Sequence, residues 1–107
     1  MLLTDASSEI VAELDNRLGG LRLDEIFSFL VLAEELHFGK AADRLYVTTG
    51  ALSRRVARVE RALGIVALFR TSRSVELTQD GARLAAQGHV LIRALSSLHG
   101  DEVPASA

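Results

Sequence analysis

YVTTGALSRRVARVERALG, residues 46–64, decides how the chain is read. Four arginines, Arg54, Arg55, Arg58 and Arg61, fall within eight positions. At about 100° per residue, Leu52, Val56, Val59 and Leu63 gather within about 60° of one another. That face must join a core. Arg54, Arg58 and Arg61 collect on the opposite side, with Gly50 and Ser53 nearby and Arg55 on the flank. Thr48 is placed to cap the start of the helix and Gly64 to end it. Any amphipathic helix turns charge outward, but an ordinary solvated face mixes signs in i,i+4 pairs. Here Glu60 is the only acid between Asp43 and Glu76. Arginine also suits planar, bidentate contacts to phosphate or guanine.

The neighbours of this helix give it a context. A short helix is expected over 40–45, and Tyr46-Val47-Thr48 breaks it. Two short helices around a tight turn form a helix-turn-helix, with the second as reader. After Gly64 the period changes. Residues 67–71 and 74–78 read as two short strands, with Val75 and Leu77 alternating with Ser74 and Glu76. Joined around Ser72 and Arg73, they make a hairpin, or wing. Thr78 then caps a long helix to about Leu98. Upstream, a helix from Asp24 to His37 carries the stripe Ile26, Phe27, Leu30, Ala33 and Leu36, with Glu34 and Glu35 facing water. Before it, Ser8 caps a short helix bearing Ile10, Val11, Leu14 and Leu18, which Gly19-Gly20 ends. The expected organisation is an extension over 1–20, a DNA-binding unit over 21–78, a linker helix over 79–98 and a tail over 99–107. The fold class is mostly α, a winged helix-turn-helix with a small β-hairpin wing and a long C-terminal linker helix.

Bulk properties bound the function. With 107 residues, 49% of them hydrophobic and 24% charged, the chain has the makings of one globular domain. No cysteine is present, which excludes disulfides, thiolate zinc sites and cysteine nucleophiles. No apolar run is long enough to span a membrane, and MLLTDASSEI lacks the pattern of a secretory signal. A cytoplasmic location follows as an expectation, nucleoid-associated when the protein is on DNA. The net charge of −2 conceals a segregation: −6 over residues 1–39, +6 over 40–93 and −2 over 94–107. A basic middle segment is what a phosphate footprint requires. His37, His89 and His99 fall on separate elements without metal-ligand spacing, and neither a phosphate-binding loop nor a triad arrangement is present. The expectation is a non-enzyme without cofactor or metal.

Together, FSFLVLAEELHFGKAADRLYVTTGALSRRVARVERALG (27–64) and LFRTSRSVELTQDG (68–81) resemble the N-terminal winged helix-turn-helix domain of LysR-type transcriptional regulators. The resemblance rests on the aromatic-rich helix, Phe38 followed by Ala41-Ala42 and Leu45, the ALSRRVARVERALG helix, and the wing. It implies sequence-specific binding of double-stranded DNA as a homodimer. Carried over, the base-reading positions are Thr49, Gly50, Ser53 and Arg54, and the wing arginine that reaches the minor groove is Arg73. Lys40 and Arg58, with Thr48 and Arg55 beside them, fall at phosphate-facing positions. Gly81, Leu84, Gly88, Leu91, Leu95 and Leu98 follow a 3-4-3-4-3 spacing, a coiled-coil-like seam that suits the family's antiparallel linker pairing. The same stripe could instead pack on the chain's own core, and Ala82, Ala85, Val90 and Ile92 supply a second apolar face.

The chain departs from the family pattern in three places. Thr48-Thr49-Gly50 replaces serine, glutamine, then proline or serine, which removes a long base-reading side chain. Leu68-Phe69 sits one residue nearer Arg70 than the family's equivalent pair, a change expected to tilt the wing. The family's small-molecule effector domain is absent from the 107 residues, whereas residues 1–20 are additional. The chain is then either a stand-alone DNA-binding module or a fragment of a longer protein; the expectation favours the first, with the extra helix helping to cover a core or dimer surface that the missing domain leaves bare. The competing function is a dimerisation module that does not bind DNA and instead modulates a full-length relative.

Overall fold

The computed structural model describes residues 5–71 and 74–100. The expected wing tip at Ser72 and Arg73, and most of the expected tail, lie outside the described residues. The elements are α1 (Asp5–Leu18), α2 (Leu23–Glu35), α3 (Phe38–Leu45), α4 (Thr49–Leu63), β1 (Leu68–Arg70), β2 (Val75–Leu77) and α5 (Gln79–Ser97). The strands form an antiparallel hairpin in which Leu68 faces Leu77, Phe69 faces Glu76 and Arg70 faces Val75. A winged helix-turn-helix with a long C-terminal helix is therefore the observed fold, as the sequence predicts.

Helix α2 is the hub. It packs against α3, α4 and α5, and this corrects the expected single stripe. Phe29, Leu30, Val31 and Leu32 are all buried, whereas Phe27 and Leu36 are exposed. Four consecutive buried residues wrap the whole circumference of a helix, so no one-sided pattern describes an element enclosed by three neighbours. Leu52, Val56 and Val59 of α4 complete the core with Ala41, Ala42, Ala67 and Leu68. Leu63, expected as the fourth member of the α4 stripe, is partly exposed at the helix end.

Local chemistry fixes the helix ends. Thr48 Oγ1 accepts from the Ala51 amide, and Gly64 at φ +67° closes α4. Thr78 Oγ1 accepts from the Gly81 amide and donates to the Val66 carbonyl at 2.6 Å, so one side chain caps α5 and ties it to the strand side. Helix α3 starts two residues earlier than expected because the His37 Nδ1 accepts from the Lys40 amide. That bond requires the tautomer with its proton on Nε2. Ser8 lies inside α1 instead of capping it. Helix α2 ends at Glu35, with Leu36 in the left-handed region. Glu34 and Glu35 both accept from Arg44 Nη1, at 2.8 and 2.9 Å, and these contacts hold the Arg44 pKa above its ordinary value.

Two close approaches account for glycines in α5. A Cβ on Gly81 would lie 2.0 Å from the Ala67 carbonyl oxygen, and one on Gly88 would lie 2.7 Å from a Leu30 methyl. Gly81, Leu84, Ala85, Gly88 and Ile92 thus form the face turned to the chain's own core. Leu91, Leu95 and Leu98 lie outside that contact and are exposed. The expected seam is divided: its first half is spent on the core, and its second half is bare.

The Leu68-Phe69 pair does not pack as a unit. Ala67 and Leu68 are the buried pair, and Phe69 is 60% exposed. The close approach of Gly81 seats Ala67 against α5, and alternation from the buried Leu68 turns Phe69 outward. Helix α1 packs on α4 near its own C-terminal end, where Arg17, Leu18 and Gly19 share a cleft with Arg58, Arg61 and Ala62. Its stripe Ile10, Val11 and Leu14 remains about half exposed.

Candidate nucleic-acid interface

Burial of Leu52, Val56 and Val59 fixes the rotation of α4 and hence what it presents outward. Thr49, Gly50 and Arg54 are exposed and Ser53 is partly exposed, so the first turns offer a polar face beside the wing. A methyl on Gly50 would stand 3.6 Å from Arg54 Nη1, which shows how closely the guanidinium lies over the bare first turn. Lys40, at the start of α3, is exposed, as is Thr48, whose hydroxyl is engaged in the cap.

The four arginines of α4 do not behave alike. Arg54 and Arg61 are exposed. Arg58 Nε donates to Glu25 Oε2 at 2.6 Å, and Glu25 is only 6% exposed. The second oxygen of Glu25 accepts from the Arg22 amide at 2.8 Å and so satisfies the open start of α2. Arg55 Nη1 donates to the fully buried Ser28 Oγ at 3.0 Å, which itself donates to the Asp24 carbonyl. Two residues expected at phosphates are thus bound to α2, where they tie α4 to the hub. Glu60, the lone acid of α4, accepts from the Ala67 amide at 2.7 Å. It anchors the strand that follows and is not an i,i+4 ion-pair partner.

The wing adds a residue that the sequence reading passes over. Arg70, paired with Val75, turns back towards α4 and lies over the Phe38 ring, with Cζ 4.8 Å from the centroid. Its Nη1 donates to Ser53 Oγ at 3.4 Å. Phe38, Thr49, Gly50, Ser53, Arg70 and Val75 border a cleft of about 350 Å³ between reading helix and wing. Strand alternation from the buried Leu68 would have placed Arg70 on this side; Glu25 and Ser28 carry no comparable signal. Arg73, the expected minor-groove residue, lies outside the described residues.

Among the described residues no cluster has a metal's ligand set, and no helix is long and apolar enough to cross a membrane.

Known proteins share this arrangement. Residues 23–82 match the family of bacterial regulatory helix-turn-helix proteins named lysR. The regulator TtuA of Agrobacterium vitis is 37% identical over 73% of this chain, and AlsR of Bacillus subtilis 46% identical over 57%. The chain spans 26% and 20% of those two relatives. Among solved structures, the BenM DNA-binding domain in complex with catB site 1 DNA superposes with a TM-score of 0.68 at 32% identity, over 72% of this chain and 86% of that one. OxyR of Corynebacterium glutamicum in its oxidized form gives 0.68 at 30% identity, over 72% of this chain and 24% of that one. The matched residues run from the hub helix through the reader and the wing to the start of α5, and on that ground the chain belongs to the LysR family of bacterial helix-turn-helix regulatory proteins.

Proposed function

We propose that this chain binds double-stranded DNA as a homodimer and regulates transcription, with the first turns of α4 in the major groove and the wing near the minor groove. The observation that carries this reading is the outward face of Thr49, Gly50, Ser53 and Arg54, held beside the hairpin by a core that fixes the rotation of α4. A helix N-terminus inserted in this way brings side chains to base edges while phosphates flank it. The likeness to the BenM domain on its DNA supports the same docking. Arg54 bridges O6 and N7 of a guanine, the commonest specific contact an arginine makes. Lys40, Thr48 and Arg73 meet phosphates and groove, and Arg55 and Arg58 hold the reader to α2.

Dimerisation is assigned to the bare half of α5. Leu91, Leu95 and Leu98 are exposed and apolar, and pairing with a second α5 would cover them. Leu84 and Gly88 support that surface from the core side, since Gly88 rests on Leu30.

Selection from a random duplex pool, repeated across salt concentrations, tests the reading. The expected result is a pair of half-sites about one helical turn apart, with affinity falling steeply as salt rises. No duplex affinity at low salt, together with capture of a longer LysR-type partner, would favour the interaction-module alternative. Replacing Leu91 and Leu95 together with Asp is expected to yield monomers in sedimentation. Dimers that survive place the interface elsewhere.

A further inference from the structure

We propose that Arg70 fixes the hydrogen-bonding polarity of Ser53, so that α4 selects a base with a major-groove acceptor, and rejects cytosine, at the position beneath Ser53. A serine hydroxyl both donates and accepts, so a serine in a groove has little intrinsic preference between base edges. A guanidinium has donors and no acceptor. Arg70 Nη1 donates to Ser53 Oγ at 3.4 Å, which occupies a lone pair and leaves the hydroxyl proton to turn outward. The positive charge beside it opposes the approach of another donor. Guanine (N7 and O6), adenine (N7) and thymine (O4) each offer a major-groove acceptor, whereas cytosine offers only its N4 donor. Ser53 becomes a donor facing an acceptor edge.

The placement of Arg70 is built in. Pairing with Val75 anchors its backbone in the wing, and the Phe38 ring lies under its guanidinium at 4.8 Å. Phe38 packs against the core, so the aromatic platform is held from below. A cation over an aromatic face loses some of its freedom to swing away. Arg70 is therefore a positioning residue for the readout, joining the wing to a single hydroxyl on the reading helix.

This inference rests on α4 reading the major groove, and the experiment separates the two. Affinities of the full chain are measured on duplexes carrying each of the four bases at the position where Ser53→Ala alters preference. Wild type is expected to disfavour cytosine there by roughly three- to tenfold against the other three bases, the scale of one neutral hydrogen bond. Arg70→Met should reduce that preference below about twofold, with preferences at other positions unchanged. Phe38→Leu, which keeps the charge but removes its platform, should weaken it in the same direction. Arg70→Lys should keep part of it, because an ammonium still donates to Ser53. Adding Arg70→Met to Ser53→Ala should cost no further discrimination. The proposal is overturned if Arg70→Met weakens all four duplexes alike, if the two losses add, or if Ser53→Ala shifts no preference at any position. A wild type without duplex binding would overturn the major-groove reading itself. Selective binding that ignores Arg70 overturns only this inference.

Discussion

Two sides of α4 carry the same residue type to opposite ends. Arg54 is exposed, and its guanidinium lies over a first turn made bare by Gly50. Arg58, one turn on, is bound at 2.6 Å to a carboxylate that the fold has buried. Arg55 likewise ends on the buried Ser28 hydroxyl. The side bearing Arg54 and Arg61 is therefore available to a ligand, and the side bearing Arg55 and Arg58 holds α4 to α2. Counting basic residues along a helix overstates its grip, because a guanidinium already paired with a carboxylate releases few counterions when a phosphate arrives. The difference also explains why Glu25 tolerates burial: its two oxygens accept from the Arg22 amide and from Arg58, so neither is left unsatisfied.

The sharpest way to break this comparison is to truncate its two members in turn. Arg54→Ala is expected to cost about 1–3 kcal/mol of binding on the preferred site and to relax its sequence preference, with thermal stability unchanged. Competition against scrambled duplex reads the first and a melting curve the second. Arg58→Ala should do the reverse. Glu25 would keep its backbone bond but lose its charged partner, and a stability loss of about 1–2 kcal/mol follows, reduced from the fully buried case because the Arg58 side chain is 42% exposed. The slope of log affinity against log salt should stay at the wild-type value. A slope that falls by about one unit would show that Arg58 leaves Glu25 for a phosphate, and the division of α4 would not hold.

The parts of the fold legible in the sequence are those set by local rules. Thr48 and Thr78 cap helices, Gly64 ends one, and the 52-56-59 stripe is buried as its spacing requires. The misread parts depend on what surrounds an element. Helix α2 hides its pattern because three helices enclose it. Phe69 looks like a core residue by type and is turned out because its neighbour Leu68 takes the buried side of the strand. In the candidate site, the spacing that turns Thr49, Ser53 and Arg54 outward is local and was legible. The fate of Arg55, Arg58 and Glu60 was not, since each depends on a partner seven to thirty-three residues away. The seam on α5 was half legible. A 3-4 repeat marks an apolar face without saying whether the chain or its twin covers it.

The smallest expected effect concerns the turn that delivers the reader. Tyr46 caps α3 at φ +56°, in the left-handed region, with its side chain 95% exposed. An L-residue there bears about 1–2 kcal/mol of strain that glycine escapes, although glycine gives back part of that through the greater freedom of its unfolded chain. The exposed ring contributes no packing to offset the strain. Tyr46→Gly should therefore raise stability by about 0.5–1 kcal/mol, visible as a higher melting temperature. Contacts at the start of α4 depend on Thr48 and the core, and both remain, so the sequence preference recorded for Arg54 should not move. If Tyr46→Gly stabilises the fold yet weakens DNA binding on all sequences alike, the strained tyrosine itself belongs to the interface. The ligand-facing part of the site would then begin before α4, in the turn.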